Sequence, residues 1–181
     1  KNHQVTVYEA TDSIGGHANT VDVSVPEGLM PVDTGFIVYN ERNYPNLTAL
    51  FKHLGVTTKD AEMSFGASLE LGEFEYSGTD LNGIFGQRLN ILRPRFWRML
   101  LGIISFYKTA PAILDNPAYD GMTLGTYLAQ ENYSDSFTHD HLLPMGAAIW
   151  STTASEMKHY PAQAFVRFFD SHGLLALKAR P

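Results

Sequence analysis

Outside one helical stretch at 45–54, apolar residues recur with a period near two up to about residue 76, and with a period near 3.6 after residue 94. That single change of period limits what the chain can build. Gln4–Glu9 (QVTVYE) alternate and are rich in β-branched and aromatic types, which predicts a strand ending in an acid. Val21, Val23 and Val25 alternate with polar residues, Pro26-Glu27-Gly28 reads as a turn, and 31–40 (PVDTGFIVYN) reads as a further strand interrupted by Gly35. Pro45 opens a helix with Leu47, Leu50, Phe51 and Leu54 on one face and Gly55 at its stop. Phe65, Ala67, Leu69 and Leu71 then alternate, and Gly72-Glu73 turns the chain into 74–76, which predicts a hairpin.

The second half is helical. A helix is expected from Pro94 to Leu114, with Trp97, Leu100, Leu101 and Ile104 on one face and Pro111 kinking or ending it. Thr123 is placed to cap a short helix carrying Leu124, Tyr127 and Leu128. Two more helices are expected at about 135–149 and 161–172, the last turning Phe165, Phe168 and Phe169 inward and stopping at Gly173. At 181 residues this is one domain or a pair of small ones, of α/β class and α+β overall.

Composition removes several functions. Thirteen basic against nineteen acidic residues leave a net charge of −6, with no basic run to follow a phosphate backbone, so no nucleic-acid partner is expected. With no cysteine there is no disulfide, thiolate metal site or cysteine nucleophile, and a reducing cytoplasm is the expected compartment. The apolar run Met99–Tyr107 has nine residues, where a bilayer span needs about twenty. His139-Asp140-His141 invites a metal reading, but neighbours one and two apart on a helix do not share a face, so a solvated helix start is expected and no metal site. Ser151, Thr152, Thr153 and Ser155 precede Glu156 as a helix cap would, not as a nucleophile. The aromatic set Phe96, Trp97, Phe106, Tyr107, Phe165, Phe168 and Phe169 fits a helical core better than a substrate tunnel; Trp150 and Met145 leave the same choice open. Arg88, Arg93, Arg95 and Arg98 beside Trp97 and Met99-Leu100-Leu101 read as a solvated rim, with an interfacial membrane face as the alternative.

One stretch carries a ligand signal. A strand ending in Glu is used in dinucleotide folds, where the carboxylate accepts both ribose hydroxyls of the adenosine half. Gly15 and Gly16 follow Glu9 and allow backbone to approach a ligand where a Cβ would clash. The string VTVYEATDSIGGHANTVDV followed by PVDTGFIVYN resembles the FAD-binding region of the flavin-containing amine oxidase superfamily. The matching positions are Glu9-Ala10, Gly15-Gly16-His17 and Asp33-Thr34-Gly35; MGAAIWSTTASEM and FVRFFDSHGLL look like a bacterial branch of NAD/FAD-binding oxidoreductases.

The resemblance implies FAD as cofactor. Glu9, with Ala10 beside it, would bind the adenosine ribose; Gly15, Gly16 and His17 would lie along the pyrophosphate and ribityl chain; and Gly35, Phe36, Ile37 and Val38 would pass the isoalloxazine. His17 stands where the family more often has Arg, and a neutral imidazole donates one hydrogen bond where a guanidinium offers five. It further implies a partial Rossmann-like FAD-binding region at 1–55 and a substrate-domain portion at 56–181 with a hairpin sheet and a helical cluster. The family's glycine-rich G-x-G-x-x-G turn and its second half are not found in this sequence. The chain is therefore expected to be an internal piece that alone holds FAD poorly and is inactive, with Gln4–Glu9 as an open strand edge for oligomer pairing. The implied activity is hydride removal from a C–N or C–C bond of a small apolar or amine substrate, with no catalytic acid or base identified. The alternative is a non-catalytic lipid carrier or binding protein on the same fold, such as the Rab GDP dissociation inhibitors, and a weaker third reading is a methyltransferase.

Overall fold

The computed structural model describes residues 3–35, 38–61 and 64–175. The chain divides into two compact units, Lys1–Ala61 and Glu62–Pro181.

The first unit is built on a hairpin. Strands β1 (Thr20–Val25) and β2 (Gly28–Asp33) pair antiparallel, with Thr20 opposite Asp33 and Val25 opposite Gly28 across the Pro26-Glu27 turn. Helix α1 (Pro45–Leu54) follows where its spacing puts it: Pro45 opens it and Gly55 closes it at φ 69°. Phe51 meets Tyr39 edge-on, with ring centroids 5.3 Å apart. Among the described residues of this unit none is buried.

Two expectations fail here. Gln4–Glu9 form no strand, and the described residues contain no parallel sheet: both sheets are two-stranded and antiparallel. Alternation makes a segment suited to a pleat, but a strand exists only where a neighbour completes its ladder. No described strand pairs with these residues, and Val5, Val7 and Tyr8 are exposed. The open strand edge expected for pairing between chains is therefore not formed either. The strand expected over 31–40 ends at Asp33, opposite Thr20 at the start of β1.

The second unit holds the core. Strands β3 (Gly66–Leu69) and β4 (Phe74–Ser77) form the expected hairpin, but the turn starts earlier than Gly72-Glu73: Leu71, expected on the strand, is exposed in it, and Glu70 and Leu71 take φ 54° and 57°. Non-glycine residues seldom adopt that left-handed region. Phe74 and Tyr76 point from β4 into a cluster with Phe96 and Met99. A short helix, α2 (Leu81–Ile84), is capped by Asp80, whose carboxylate accepts from Gly83 N at 2.7 Å.

The long helix α3 (Pro94–Thr109) gives way at Ala110 to a tighter turn that contains Pro111. Its buried side chains are Phe96, Met99, Phe106 and Tyr107. The face carrying Trp97, Leu101 and Ile104 is therefore the outer one, with Trp97 44% and Leu101 63% exposed. Both faces of α3 are apolar, so periodicity alone does not choose between them; packing against β4 and the later helices does.

Helices α4 (Leu124–Gln130), α5 (Asp135–Phe137), α6 (Leu143–Trp150), α7 (Ala154–Met157) and α8 (Ala162–Ser171) complete the cluster. Thr123 caps α4, and Thr153 with Glu156 forms a reciprocal capping box on α7. Phe165 and Phe169 stack 4.3 Å apart, and Trp150 stacks on Phe165 at 5.5 Å. Glycine sets two close approaches. A Cβ at Gly102 would overlap the Phe137 side chain, and one at Gly146 would stand 2.9 Å from the Phe165 ring.

Between α5 and α6 the helix widens into a π turn over Thr138–Leu142. Pro144 has no N–H to give the carbonyl four residues back, that of Asp140. The Tyr76 hydroxyl donates to that oxygen at 2.8 Å instead. The expected solvated start at His139-Asp140-His141 is thus corrected: His139 is exposed, but Asp140 and His141 are buried. A wide turn packed against β4 rotates these two side chains inward.

Candidate functional site

The hairpin of the first unit draws two glycine segments together. Beyond the last strand pair it continues to zip: Thr34 N donates to Asn19 O at 2.9 Å, and Asn19 Nδ2 donates to Thr34 Oγ1 at 3.0 Å. Thr20 Oγ1 donates to Asp33 Oδ1 at 2.7 Å. This register delivers Gly35 against the carbonyl of His17, where any Cβ would overlap that oxygen.

Gly15 and Gly16 take φ 126° and 58°, a pair of positive values that glycine adopts without strain. Ala18 N closes the loop on Gly15 O at 3.0 Å, and a Cβ at Gly15 would stand 2.7 Å from Ala18 O. The Gly15-Gly16-His17 loop and the Asp33-Thr34-Gly35 segment thus meet backbone to backbone, Gly35 against His17. Val38 is half-buried. Phe36 and Ile37 lie outside the described residues.

Glu9 is exposed and held locally. Its Oε1 accepts from Thr11 N and from Thr11 Oγ1, both at 2.9 Å. The backbone bond and then the hydroxyl bond keep its carboxyl below the usual carboxylate range. The side chain is therefore anionic at neutral pH and takes both bonds on one oxygen. Ala10 is exposed at the bend that follows. Such a carboxylate suits a pair of hydroxyl donors, and the glycine surface suits a ligand that needs close backbone approach. Among the described residues no cluster of three or more His, Asp or Glu could hold a metal ion.

Two groups in the second unit are not legible as groups from the sequence, where Arg95 is expected on a solvated rim and Trp150 is left between core and tunnel. Arg95 donates from Nε to Asp140 Oδ2 at 2.7 Å and from Nη2 to Asp140 Oδ1 at 2.8 Å, and pairs through Nη1 with Glu70 at 2.6 Å. Its guanidinium lies 4.7 Å from the centroid of the Phe74 ring. Those bonds, the Asp140 one first, raise its pKa further. Tyr76 Oη and His141 Nδ1 lie 2.9 Å apart. No local signal marks this network, because Arg95 and Asp140 stand 45 residues apart. The second group is a cavity of about 400 Å³ lined by Trp150, Thr152, Glu156, Met157, His159, Tyr160 and Pro161. Glu156 is held anionic there by the Thr152 hydroxyl and then the Thr153 hydroxyl, and the Trp150 and Tyr160 rings stand 5.1 Å apart.

The family model described as flavin containing amine oxidoreductase matches residues 1–173. Among curated proteins none matches this chain.

Proposed function

The chain belongs to the flavin-containing amine oxidoreductase family, and from that premise we propose that it serves an FAD-dependent oxidoreductase removing a hydride from a C–N or C–C bond of a small apolar or amine substrate. The observation that carries this reading is the meeting of Gly15-Gly16-His17 with Gly35 across the β1–β2 hairpin. A family match alone would give a cofactor class; this contact supplies a surface on which that cofactor can lie.

Glu9 accepts the adenosine ribose hydroxyls through its ionised carboxylate, with Ala10 beside it. Gly15, Gly16 and His17 follow the pyrophosphate and ribityl chain, and Gly35, Phe36, Ile37 and Val38 pass the ring. When bound, FAD supplies the hydride acceptor, and the protein holds, orients and keeps water from the reacting atoms. In the second unit, the Trp150 and Tyr160 rings and the Glu156 carboxylate suit a cationic amine, which aromatic faces and an anion both favour. No residue is assigned as catalytic acid or base.

The test is flavin content and FAD affinity of the full-length protein, read by absorbance after dialysis. Glu9→Ala should weaken FAD binding about ten- to a hundred-fold, by loss of a charged hydrogen-bond acceptor. Gly35→Ala should lower flavin content too, since its Cβ has to displace the His17 carbonyl. Unchanged affinity in both variants removes this surface from the cofactor site. Bleaching of the flavin on anaerobic addition of a candidate amine supports the oxidase reading.

A further inference from the structure

The outer face of α3 has no role in the reading above. Every large apolar side chain exposed among the described residues of the second unit falls between Leu71 and Ile104. On α3, Trp97, Leu101 and Ile104 follow one another at i, i+4 and i+7, which lines them along the helix surface away from Met99 and Phe106, with the Trp97 ring edge-on to Phe96 at 6.0 Å. A helix apolar on two sides needs a second apolar partner. The stripe also continues into the preceding turn. Trp97 Nε1 donates to Ile91 O at 2.8 Å, and Leu92 on that turn is 79% exposed.

Charge identifies the partner. From Leu81 to Leu114 the chain carries five cations and no carboxylate, while the remainder carries eight cations against nineteen carboxylates. Arg95 is turned inward to Asp140 and Glu70, but Arg88, Arg98 and Lys108 are exposed. Apolar and indole side chains bordered by cations, on a helix lying along the surface, match an interfacial segment at an anionic bilayer. Among the described residues no helix is long and apolar enough to cross a membrane. We propose that this face docks the protein on an anionic phospholipid surface, with α3 lying in the plane of the interface and Trp97, Leu101 and Ile104 entering the lipid.

Sedimentation of the full-length protein with vesicles tests this. The protein should pellet with vesicles of mixed phosphatidylcholine and phosphatidylglycerol and stay in solution with phosphatidylcholine alone. Leu101→Glu should weaken binding roughly ten- to a hundred-fold through the lost apolar burial. Arg98→Gln and Lys108→Gln should each weaken it about five-fold at low salt. Added salt should weaken it further. All three side chains face outward, so melting by circular dichroism should match the parent protein. The proposal is overturned if the protein ignores phosphatidylglycerol vesicles or binds both kinds equally. It is also overturned if light scattering shows a dimer that Leu101→Glu converts to monomer, since a second copy then covers the face. None of these readouts depends on flavin.

Discussion

Replacing Arg95 by Met should unfold the second unit at a markedly lower temperature. The Asp140 side chain is only 6% exposed and takes two short bonds from Arg95. Removing the cation strands a carboxylate in a site that water reaches poorly. Breaking a buried pair from one side costs about 3–5 kcal/mol. Here the Arg95 side chain is itself 39% exposed, so solvent already screens that end of the pair. The discounted loss is about 2–4 kcal/mol. For a unit of this size each kcal/mol moves the midpoint by about 4 °C, so the melting temperature should fall by roughly 8–16 °C. The exposed partner supplies the control: Glu70→Gln should cost about 1 kcal/mol or less. The assay is thermal unfolding by circular dichroism on Arg95→Met, Asp140→Leu and the double variant. Asp140→Leu with Arg95→Met should recover most of the loss, because no uncompensated charge then remains. A loss in Arg95→Met no larger than in Glu70→Gln, or strict additivity in the cycle, refutes the argument.

Two further outcomes follow from the core. Burial first, and then the Asp140 carboxylate, raise the Tyr76 phenol well above its ordinary value. A phenol whose folded pKa lies above its unfolded one contributes stability that is complete below about pH 10 and is lost as pH rises beyond that. Tyr76→Phe should therefore flatten the alkaline fall in stability while costing about 1–2 kcal/mol at neutral pH for its lost bonds; an unchanged alkaline slope would remove Tyr76 as its source. Gly102→Ala should destabilise by about 1–3 kcal/mol in urea unfolding, because the root of the Phe137 side chain cannot step aside cheaply. A neutral or stabilised Gly102→Ala variant would mean that α3 and α5 can part without cost.

Where a feature depended on neighbours in the chain, the sequence alone determined it. Pro45 and Gly55 bound α1, Thr123 and Thr153 cap their helices, and Gly72 lies in the turn between β3 and β4, all within a few residues of the groups they serve. The glycine segments of the candidate site were legible for the same reason: their conformational demand is local. That they meet was not legible, since Gly35 reaches His17 only through the β1–β2 register and the Asn19–Thr34 bonds beyond it. Gln4–Glu9 show the converse, an alternating segment that no described strand pairs. Tertiary packing also decided which apolar side of α3 is inside, and it turned Asp140 and His141 from an expected solvated helix start into a buried network. Periodicity states that a face is apolar but not what covers it. An ion pair between residues 95 and 140 leaves no trace in either segment, because each partner's environment is supplied by the other.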